Sequence, residues 1–293
     1  MAASTMAASM MAGSMQGKTC LVTGATSGIG RETALGLAKA GARVGIVGRE
    51  PERTQAAAER IRRETGAAVD VFLADLSAQA QVRRLAGEVV ARFPRLDVLV
   101  NNAGGIFPER QVTADGIERT WALDHLAYLL LTHELLDLLK TSAPARIVNV
   151  SSAGHTRGRI ALDDLDGARS YGAMRAYCQA KLANLLFTYA LARRLEGTGV
   201  TVNAVHPGVV ASNFGNGTSG AFGLIWTLLR PFMIAPADGA KTSLHAATAP
   251  ELKGVTGRYF AKGRETPSSD MSRDRALQER VWEISLRQVR SSP

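Results

Sequence analysis

From Lys18 onward, short apolar runs rich in β-branched residues alternate with longer stretches of helical periodicity. This alternation is typical of βαβ units, in which each helix returns the chain so that the next strand runs parallel to the last. The apolar runs are nearly continuous, which indicates strands covered by helices on both faces of the sheet. Seven runs are predicted as strands: residues 19–23, 43–47, 68–74, 98–100, 146–151, 201–206 and 257–260.

The intervening stretches predict helices over residues 28–40, 51–65, 78–92, 114–140, 173–196 and 237–247. No linker-like stretch interrupts the alternation in these 293 residues, and α/β folds of about 250 residues commonly form one domain. We therefore predict a single α/β domain over residues 17–263. Its expected architecture is a Rossmann-type, doubly wound, seven-stranded parallel sheet flanked by helices on both faces.

The two ends of the chain lie outside this pattern. Residues 1–16 hold small residues and methionines but no Lys or Arg, unlike a signal peptide, and we predict a disordered tail there. Residues 264–293 are assigned as a C-terminal extension.

Two long stretches follow predicted strands and are expected to be substrate loops, residues 153–174 and 212–236. Ligands bind beyond the carboxyl ends of strands in open parallel sheets, so both loops can contact a substrate. The second contains the apolar segment 223–235, which is too short to span a bilayer. It is interpreted as a lid over an apolar substrate, with a packed core helix or a weak membrane-surface contact as alternatives.

Basic residues outnumber acidic ones, with 35 Lys and Arg against 26 Asp and Glu and a formal net charge of +9. Such an excess can indicate contact with nucleic acid or an anionic membrane. Here Arg and Glu are interleaved in segments such as residues 59–64, as on solvated helix faces. Because no nucleic-acid-binding motif is visible either, we expect no nucleic-acid partner. Since the apolar segments are too short to span a bilayer, we also expect no transmembrane segment.

The chain has two cysteines, Cys20 and Cys178, and five histidines. Two cysteines without a CxxC spacing are too few for a disulfide framework and suit a reducing compartment. The histidines show no metal-ligand spacing such as HExxH. We therefore predict no metal site and a cytoplasmic location.

A glycine-rich segment, residues 23–30, joins the first predicted strand to the first helix. Glycines allow a tight turn and a close approach to a pyrophosphate, and a helix start supplies unpaired N–H groups. Such turns also occur for packing alone. The residues predicted to contact a dinucleotide are Gly24, Thr26, Ser27, Gly28, Ile29 and Gly30.

Arg49 follows the second predicted strand, where NAD-preferring folds carry an acidic residue for the ribose 2′-hydroxyl. An arginine can pair with a 2′-phosphate, which an acid would repel. This residue favours NADP(H) as the cofactor. The alternative is a surface arginine paired with Glu50 or Glu52.

Five further motifs follow in order along the chain: Asp75-Leu76, Asn101–Gly104, Ser151-Ser152, Tyr177–Lys181 and Pro207-Gly208. Together with the glycine turn, they make the chain resemble the short-chain dehydrogenase/reductase (SDR) superfamily over about residues 17–263. The segments 143–152 and 176–188 are most similar to the retinol dehydrogenase branch and its soluble relatives.

Tyr177 and Lys181 lie four residues apart on a predicted helix, so their side chains face the same way. An ammonium beside a phenol is expected to lower the pKa of the phenol, making Tyr177 a usable acid/base. Ser152, at the end of the fifth predicted strand, would hydrogen-bond the substrate oxygen. The residues thus predict an oxidoreductase that moves a hydride between nicotinamide and the carbonyl or alcohol carbon of an apolar small molecule.

The resemblance implies roles for further residues. Lys181 would also hold the nicotinamide ribose, Asp75 would bind near the adenine, and Pro207 and Gly208 would border the nicotinamide. The remaining implied cofactor contacts are Leu76, Asn101, Asn102, Ala103, Gly104, Tyr177 and Ser212. Relatives pair through their fourth and fifth long helices, so a homodimer or homotetramer is implied as an assembly.

One position departs from the pattern of the relatives. Asp124 stands where they carry an active-site Asn, whose backbone carbonyl helps to hold a water. Asp124 keeps that carbonyl and is included among the catalytic residues, and its carboxylate near Lys181 could change the pH optimum. The alternative is a polar helix residue with a local partner.

Two other functions remain compatible with this sequence. The same Tyr and Lys could supply the proton for reduction of a conjugated C=C bond. A protein that senses NADP(H) without turnover is the other alternative, for which Asp124 leaves room.

Overall fold

The computed structural model describes residues 13–208 and 234–290. Its centre is one sheet of eight strands in the order β3-β2-β1-β4-β5-β6-β7-β8. The strands are β1 Thr19–Thr23, β2 Arg43–Gly48, β3 Val69–Leu73, β4 Val98–Asn101, β5 Ala145–Val150, β6 Val200–His206, β7 Tyr259–Ala261 and β8 Arg264–Glu265. β1 to β7 are parallel, which confirms the doubly wound fold.

The prediction of seven strands missed β8, which pairs with β7 in antiparallel fashion. Lys262 and Gly263 turn the chain between them with positive φ angles of 53° and 69°. β8 has two residues, both charged and exposed, so it carries no apolar periodicity that sequence could reveal.

Helices cover both faces of the sheet. They are α1 Gly28–Lys39, α2 Pro51–Thr65, α3 Gln79–Arg92, α4 Arg119–Trp121, α5 Ala127–Glu134, α6 Leu136–Thr141, α7 Ala173–Arg194, α8 Pro236–Thr248, α9 Asp270–Arg273 and α10 Arg275–Arg290. One apolar core lies under α1, α2 and α8, and the other lies under α3, α5 and α7. β1 to β6 each contribute apolar residues to both cores, as expected for a sheet buried on both faces. Within the described ranges, no helix is both long and apolar enough to cross a membrane.

The prediction of one helix over residues 114–140 is wrong, because the helical structure begins at Arg119 and is divided into several segments. Val112 and Glu118 form an isolated bridge first, and the Glu118 carboxylate then caps α4 by accepting hydrogen bonds from the N–H groups of Thr120 and Trp121. Residues Ala122–Leu126 form a π-helical turn before α5. π turns are frequent at functional sites, and this one contains Asp124.

The folded part begins earlier than Gly17. Met15 is buried against the α1 side of the sheet, and its N–H donates to the Ala40 carbonyl at 2.9 Å. Residues 13–16 therefore belong to the fold, in contrast to the predicted tail over residues 1–16. Residues 1–12 lie outside the described residues.

The C-terminal extension is an integral part of the domain. α10 buries Val281 and Val289 against the α7 side, and the Trp282 ring stacks on Phe187 with centroids 5.7 Å apart. The Arg194 guanidinium lies over the Trp282 ring, 4.2 Å from its centroid. α10 thus covers the helices through which the resemblance implied pairing.

Of the two predicted substrate loops, residues 153–174 begin with a 3-10 helix, Ala153–Arg157. Most of the second loop, with Ser212 and all but the last two residues of the apolar segment 223–235, lies outside the described residues.

Candidate active site

A cavity of about 530 Å³ opens at the carboxyl ends of the parallel strands, around the boundary between β1 and β4 where the strand order reverses. This is the switch point at which doubly wound sheets bind ligands. A more open groove of about 790 Å³ lies between α7 and α10, and none of the predicted site residues lines it. The cavity brings together these predicted residues: Gly24, Thr26, Ser27, Gly28, Ile29, Gly30, Arg49, Asp75, Leu76, Ala103, Gly104, Ser152, Tyr177, Lys181, Pro207 and Gly208.

The glycine turn forms one wall of the cavity, and its glycines are required by geometry. Gly24 and Gly28 have φ angles of 64° and 57°, in the left-handed region that favours glycine. A Cβ on Gly30 would lie 2.4 Å from both the Gly24 carbonyl oxygen and the Asn102 Nδ2 atom. The turn leaves the first N–H groups of α1 facing the cavity, a donor set that suits a pyrophosphate.

Asn102, which the resemblance implies lines the cofactor cleft, does line the cavity and holds this turn in place. Its Nδ2 atom donates to the Thr23 carbonyl at 2.8 Å, and its own N–H donates to the Thr23 hydroxyl at 2.8 Å. The sequence implied that both asparagines of the motif line the cleft, and it could not say which of the two faces the cavity.

Asn101, predicted as a cofactor contact, does not line the cavity. Its side chain is fully buried and donates to Thr132 Oγ1 at 3.0 Å and to Asn149 Oδ1 at 2.9 Å. Asn101 is the last residue of β4, and it instead ties β4 to β5 and α5.

Arg49 directly follows the last residue of β2 and lies at the rim of the cavity. Its Nε atom donates to Glu50 Oε1 at 3.1 Å, and its Nη1 atom lies 4.0 Å from Asp75 Oδ2. The surface pair with Glu50 is therefore present, while the half-exposed guanidinium also faces the cavity. Arg53, in the first turn of α2, lines the same cavity and was missed by the sequence analysis.

Asp75 is held as a carboxylate at this rim. Burial raises its pKa, but hydrogen bonds from the Ser77 hydroxyl at 2.7 Å and the Ser77 N–H at 2.9 Å outweigh burial, and the net pKa is lowered.

Ser152, Tyr177 and Lys181 form the opposite wall. The Ser152 hydroxyl is hydrogen-bonded to Tyr177 and also accepts from the Gly154 N–H at 3.1 Å. The Lys181 Nζ atom lies 5.6 Å from the centre of the Tyr177 ring, so the spacing of four residues does place the two side chains together. Ser151, the other serine of the pair, donates to the Lys181 carbonyl at 2.8 Å and so fixes α7 against β5.

The expected lowering of the Tyr177 pKa is wrong for this structure. Burial raises that pKa well above its ordinary value, the hydrogen bond with Ser152 lowers it, and the Asp124 charge raises it. The Lys181 ammonium pairs with Asp124 at 3.1 Å, which offsets the charge on which the expectation depended.

Asp124 contacts Lys181 but does not itself line the cavity, in contrast to its assignment among the catalytic residues. It is fully buried behind Lys181 in the π turn. Its backbone carbonyl accepts a hydrogen bond from Asn184 Nδ2 at 2.8 Å.

His206 completes the wall at the end of β6, beside Pro207 and Gly208, and was not predicted. Burial lowers the pKa of His206 to about 4, so the ring is neutral at pH 7. Its Nδ1 atom accepts hydrogen bonds from the N–H groups of Ala153 at 3.2 Å and Gly208 at 3.4 Å. It therefore ties the main chain after β5 to the main chain after β6.

A doubly wound sheet with a glycine turn, facing a Ser, Tyr and Lys cluster across one cavity, defines the class of dinucleotide-binding oxidoreductases. The chain belongs to the short-chain dehydrogenase family, whose model matches residues 18–219.

Individual relatives agree with this assignment. Retinol dehydrogenase 12 of Bos taurus is 44% identical over 270 residues, which cover 92% of this chain and 85% of that protein. A crystal structure of an uncharacterised protein from Mycobacterium paratuberculosis has a TM-score of 0.79 at 31% identity and covers 97% of each chain. The NADP complex of Pseudomonas aeruginosa RhlG has a TM-score of 0.68 at 30% identity and covers 86% of this chain and 96% of that one.

Proposed function

We propose that this protein is an NADP(H)-dependent oxidoreductase that interconverts a carbonyl and an alcohol on an apolar small molecule. The observation that carries the proposal is the convergence of Ser152, Tyr177 and Lys181 on a cavity whose opposite wall is the glycine turn. When bound, the nicotinamide would supply or accept the hydride.

The chain's own residues supply the proton chemistry. Tyr177 would donate its hydroxyl proton to the carbonyl oxygen in reduction and accept the alcohol proton in oxidation. Ser152, already hydrogen-bonded to Tyr177, would donate to the same substrate oxygen and stabilise its developing charge. Lys181 would stabilise the phenolate that remains after proton donation.

The preference for NADP(H) is supported by two arginines at the rim. Arg49 and Arg53 both face the cavity at the end of β2, and a guanidinium can pair with a 2′-phosphate in bidentate fashion. The RhlG structure, which has the same fold, is an NADP complex.

The preference for an apolar substrate is supported by three side chains of the cavity, Ile106, Leu123 and Met174. Met174 is 43% exposed and lines the cavity, so its apolar side chain is available to contact a bound substrate. Since a relative at 44% identity is a retinol dehydrogenase, we include retinoids in this substrate class.

The test follows NADPH and NADH oxidation with a panel of aldehydes, ketones and quinones, including retinal and a conjugated enone. We expect turnover with NADPH, weak turnover with NADH, and loss of activity in Tyr177→Phe. Tyr189→Phe is the matched control, because Tyr189 lies on the same helix, is similarly half-buried, and donates to Ser268 Oγ outside the cavity.

Three outcomes would redirect the proposal. Enone reduction without carbonyl turnover would indicate a C=C reductase. Tight NADPH binding without turnover of any compound would favour a sensing role. Full activity in Tyr177→Phe would contradict the assigned acid/base.

A further inference from the structure

The carboxylate of Asp124 and the ammonium of Lys181 form a buried ion pair at the inner end of the site. The Asp124 Oδ2 atom lies 3.1 Å from Lys181 Nζ, and the two side chains are 0% and 3% exposed. Asp124 Oδ1 accepts the Gly105 N–H at 2.8 Å, and Lys181 Nζ also donates to the Val150 carbonyl at 3.4 Å. Charges in such a buried position are screened little by solvent, so the carboxylate offsets much of the field of the ammonium.

The main chain at Gly104 passes close to the pair, while Lys181 also lines the cavity. A Cβ at Gly104 would lie 2.8 Å from Asp124 Oδ2 and 3.2 Å from Lys181 Nζ. Only the absence of a side chain lets the backbone pass this close. The peptide at Gly104 therefore packs directly against both charged groups.

A chain of hydrogen bonds fixes Asp124 from the opposite side. Asn184 Nδ2 donates to the Asp124 carbonyl, so its Oδ1 atom is left to accept from His125 Nδ1 at 3.2 Å. Burial lowers the pKa of His125 to about 4, so the ring is neutral and its Nε2 atom accepts from the Ser285 hydroxyl at 2.8 Å. The backbone of Asp124 is thereby anchored to α10.

Titratable groups face Asp124 from each neighbouring element. The net pKa of Asp124 is raised, because burial outweighs the Lys181 ammonium and the Gly105 N–H, which both lower it. Among the described residues, Lys181 is the one cation at ion-pair distance from Asp124. The other titratable neighbours are Tyr177 on α7, Tyr128 on α5, His125 in the π turn, Glu118 before α4 and Tyr171 in the loop 153–174.

We propose that Asp124 is a positioning residue that keeps Tyr177 protonated by offsetting the positive charge of Lys181. This inference rests on the proposed acid/base role of Tyr177. In reduction, the Tyr177 O–H bond would break and its proton would form the alcohol O–H, and a bound dihydronicotinamide would supply the hydride to the carbonyl carbon. Asp124 thus holds the active site in its proton-donating form up to a higher pH than Lys181 alone would allow.

The sign of the effect follows from the charges. Neutralising Asp124 leaves the ammonium uncompensated, which favours the Tyr177 phenolate and lowers its pKa. Alcohol oxidation needs the phenolate, so the increase of its kcat/KM with pH would occur at lower pH. Carbonyl reduction needs the phenol, so the decrease of its kcat/KM with pH would also occur at lower pH.

The test is the pH profile of kcat/KM in both directions for Asp124→Asn, which removes the charge and keeps an oxygen for the Gly105 N–H. We expect both limbs to move down by about one pH unit, which is about a tenfold gain in oxidation on the acidic limb. An ultraviolet difference titration of the cofactor-free protein, with Tyr177→Phe subtracted, should show the same shift of the Tyr177 phenolate. Asp124→Ala should shift the limbs in the same direction and serves if Asp124→Asn fails to fold.

Asp137→Asn is the matched control, because it removes the same charge from an exposed position and should leave the profile unchanged. Unmoved limbs and an unmoved phenolate titration in a folded Asp124 variant would overturn this inference. If Tyr177→Phe still abolishes turnover in that case, the proposed function stands and only the role of Asp124 fails.

Discussion

The Asn102 side-chain amide donates to the Thr23 carbonyl at 2.8 Å and thereby joins the end of β4 to the glycine turn after β1. The same Nδ2 atom lies 3.3 Å from the Gly24 carbonyl, so the turn is fixed by a residue far away in the chain. This amide lies so close to α1 that there is no room for a side chain at position 30, which is Gly30.

Gly30→Ala is therefore expected to deform the turn. The new methyl group would lie 2.4 Å from the Gly24 carbonyl oxygen and the Asn102 amide, which cannot both remain in place. We expect a loss of about 1–3 kcal/mol in the free energy of unfolding and at least a tenfold weaker NADPH affinity. Urea unfolding and a fluorescence titration with NADPH measure the two effects.

Gly87→Ala is the matched control, since Gly87 is exposed in α3 and has no neighbour near the added methyl group. It should stabilise the protein by about 0.5–1 kcal/mol and leave NADPH affinity unchanged. Equal effects of the two substitutions would contradict the steric argument.

Arg49→Ala is expected to weaken NADPH binding and to leave NADH binding nearly unchanged. The lost charge-assisted hydrogen bonds to a 2′-phosphate correspond to about 1.5–3 kcal/mol, or about tenfold to hundredfold in Kd. Calorimetric titration with the two cofactors checks this result. Arg63→Ala, an exposed arginine of α2 outside the cavity, should change neither affinity. A parallel loss of NADH affinity in Arg49→Ala would show that the arginine does not distinguish the 2′-phosphate.

Asp97→Asn tests the pH dependence of stability. Asp97 is 3% exposed and accepts hydrogen bonds from Arg95, the Thr19 N–H and Lys18. Burial raises its pKa, but these donors outweigh burial, and the net pKa is lowered. Because the pKa in the folded state is below that of the unfolded state, the stabilisation is complete above about pH 4 and is lost as the pH falls through the folded-state pKa.

The Asn variant should accordingly lose about 1–3 kcal/mol of the free energy of unfolding at pH 7. The difference from the wild type should shrink as the solution becomes more acidic than pH 4. Urea unfolding over this pH range measures both quantities. A difference that stays constant with pH would mean that the charge of Asp97 does not contribute.

Removal of α10 tests what covers α7. A chain ending at Asp274 exposes Phe187 and the apolar side of α7, which Val281 and Trp282 bury in the full chain. We expect the shortened chain to be less stable and to self-associate in a concentration-dependent manner, as measured by sedimentation velocity. The full chain should not pair through this face, because α10 would first have to leave it.

Trp282→Ala is the milder variant for the same surface. It should cost about 3 kcal/mol in the free energy of unfolding while α10 still shields α7, with no change in assembly. A shortened chain with the same sedimentation behaviour as the full chain at all concentrations would argue against a shielding role.

The amino-acid sequence by itself determined the parallel sheet, the order of its elements and the glycine turn. Those features depend on local periodicity and on residue types whose backbone preferences act over a few neighbours, and α2 at Pro51–Thr65 and β1 at Thr19–Thr23 have the predicted bounds. The proximity of Tyr177 and Lys181 belongs here too, because one turn of helix fixes it.

Only the tertiary structure decided which charges and amides meet. The sequence showed Asp124 and Lys181 separately, but their ion pair depends on how the π turn packs against α7. Likewise, Asn101 faces the interior while Asn102 faces the turn, and Ser285 reaches His125 from the end of the chain. Such contacts join residues far apart in sequence, so burial and the Tyr177 pKa follow from packing that no local pattern records.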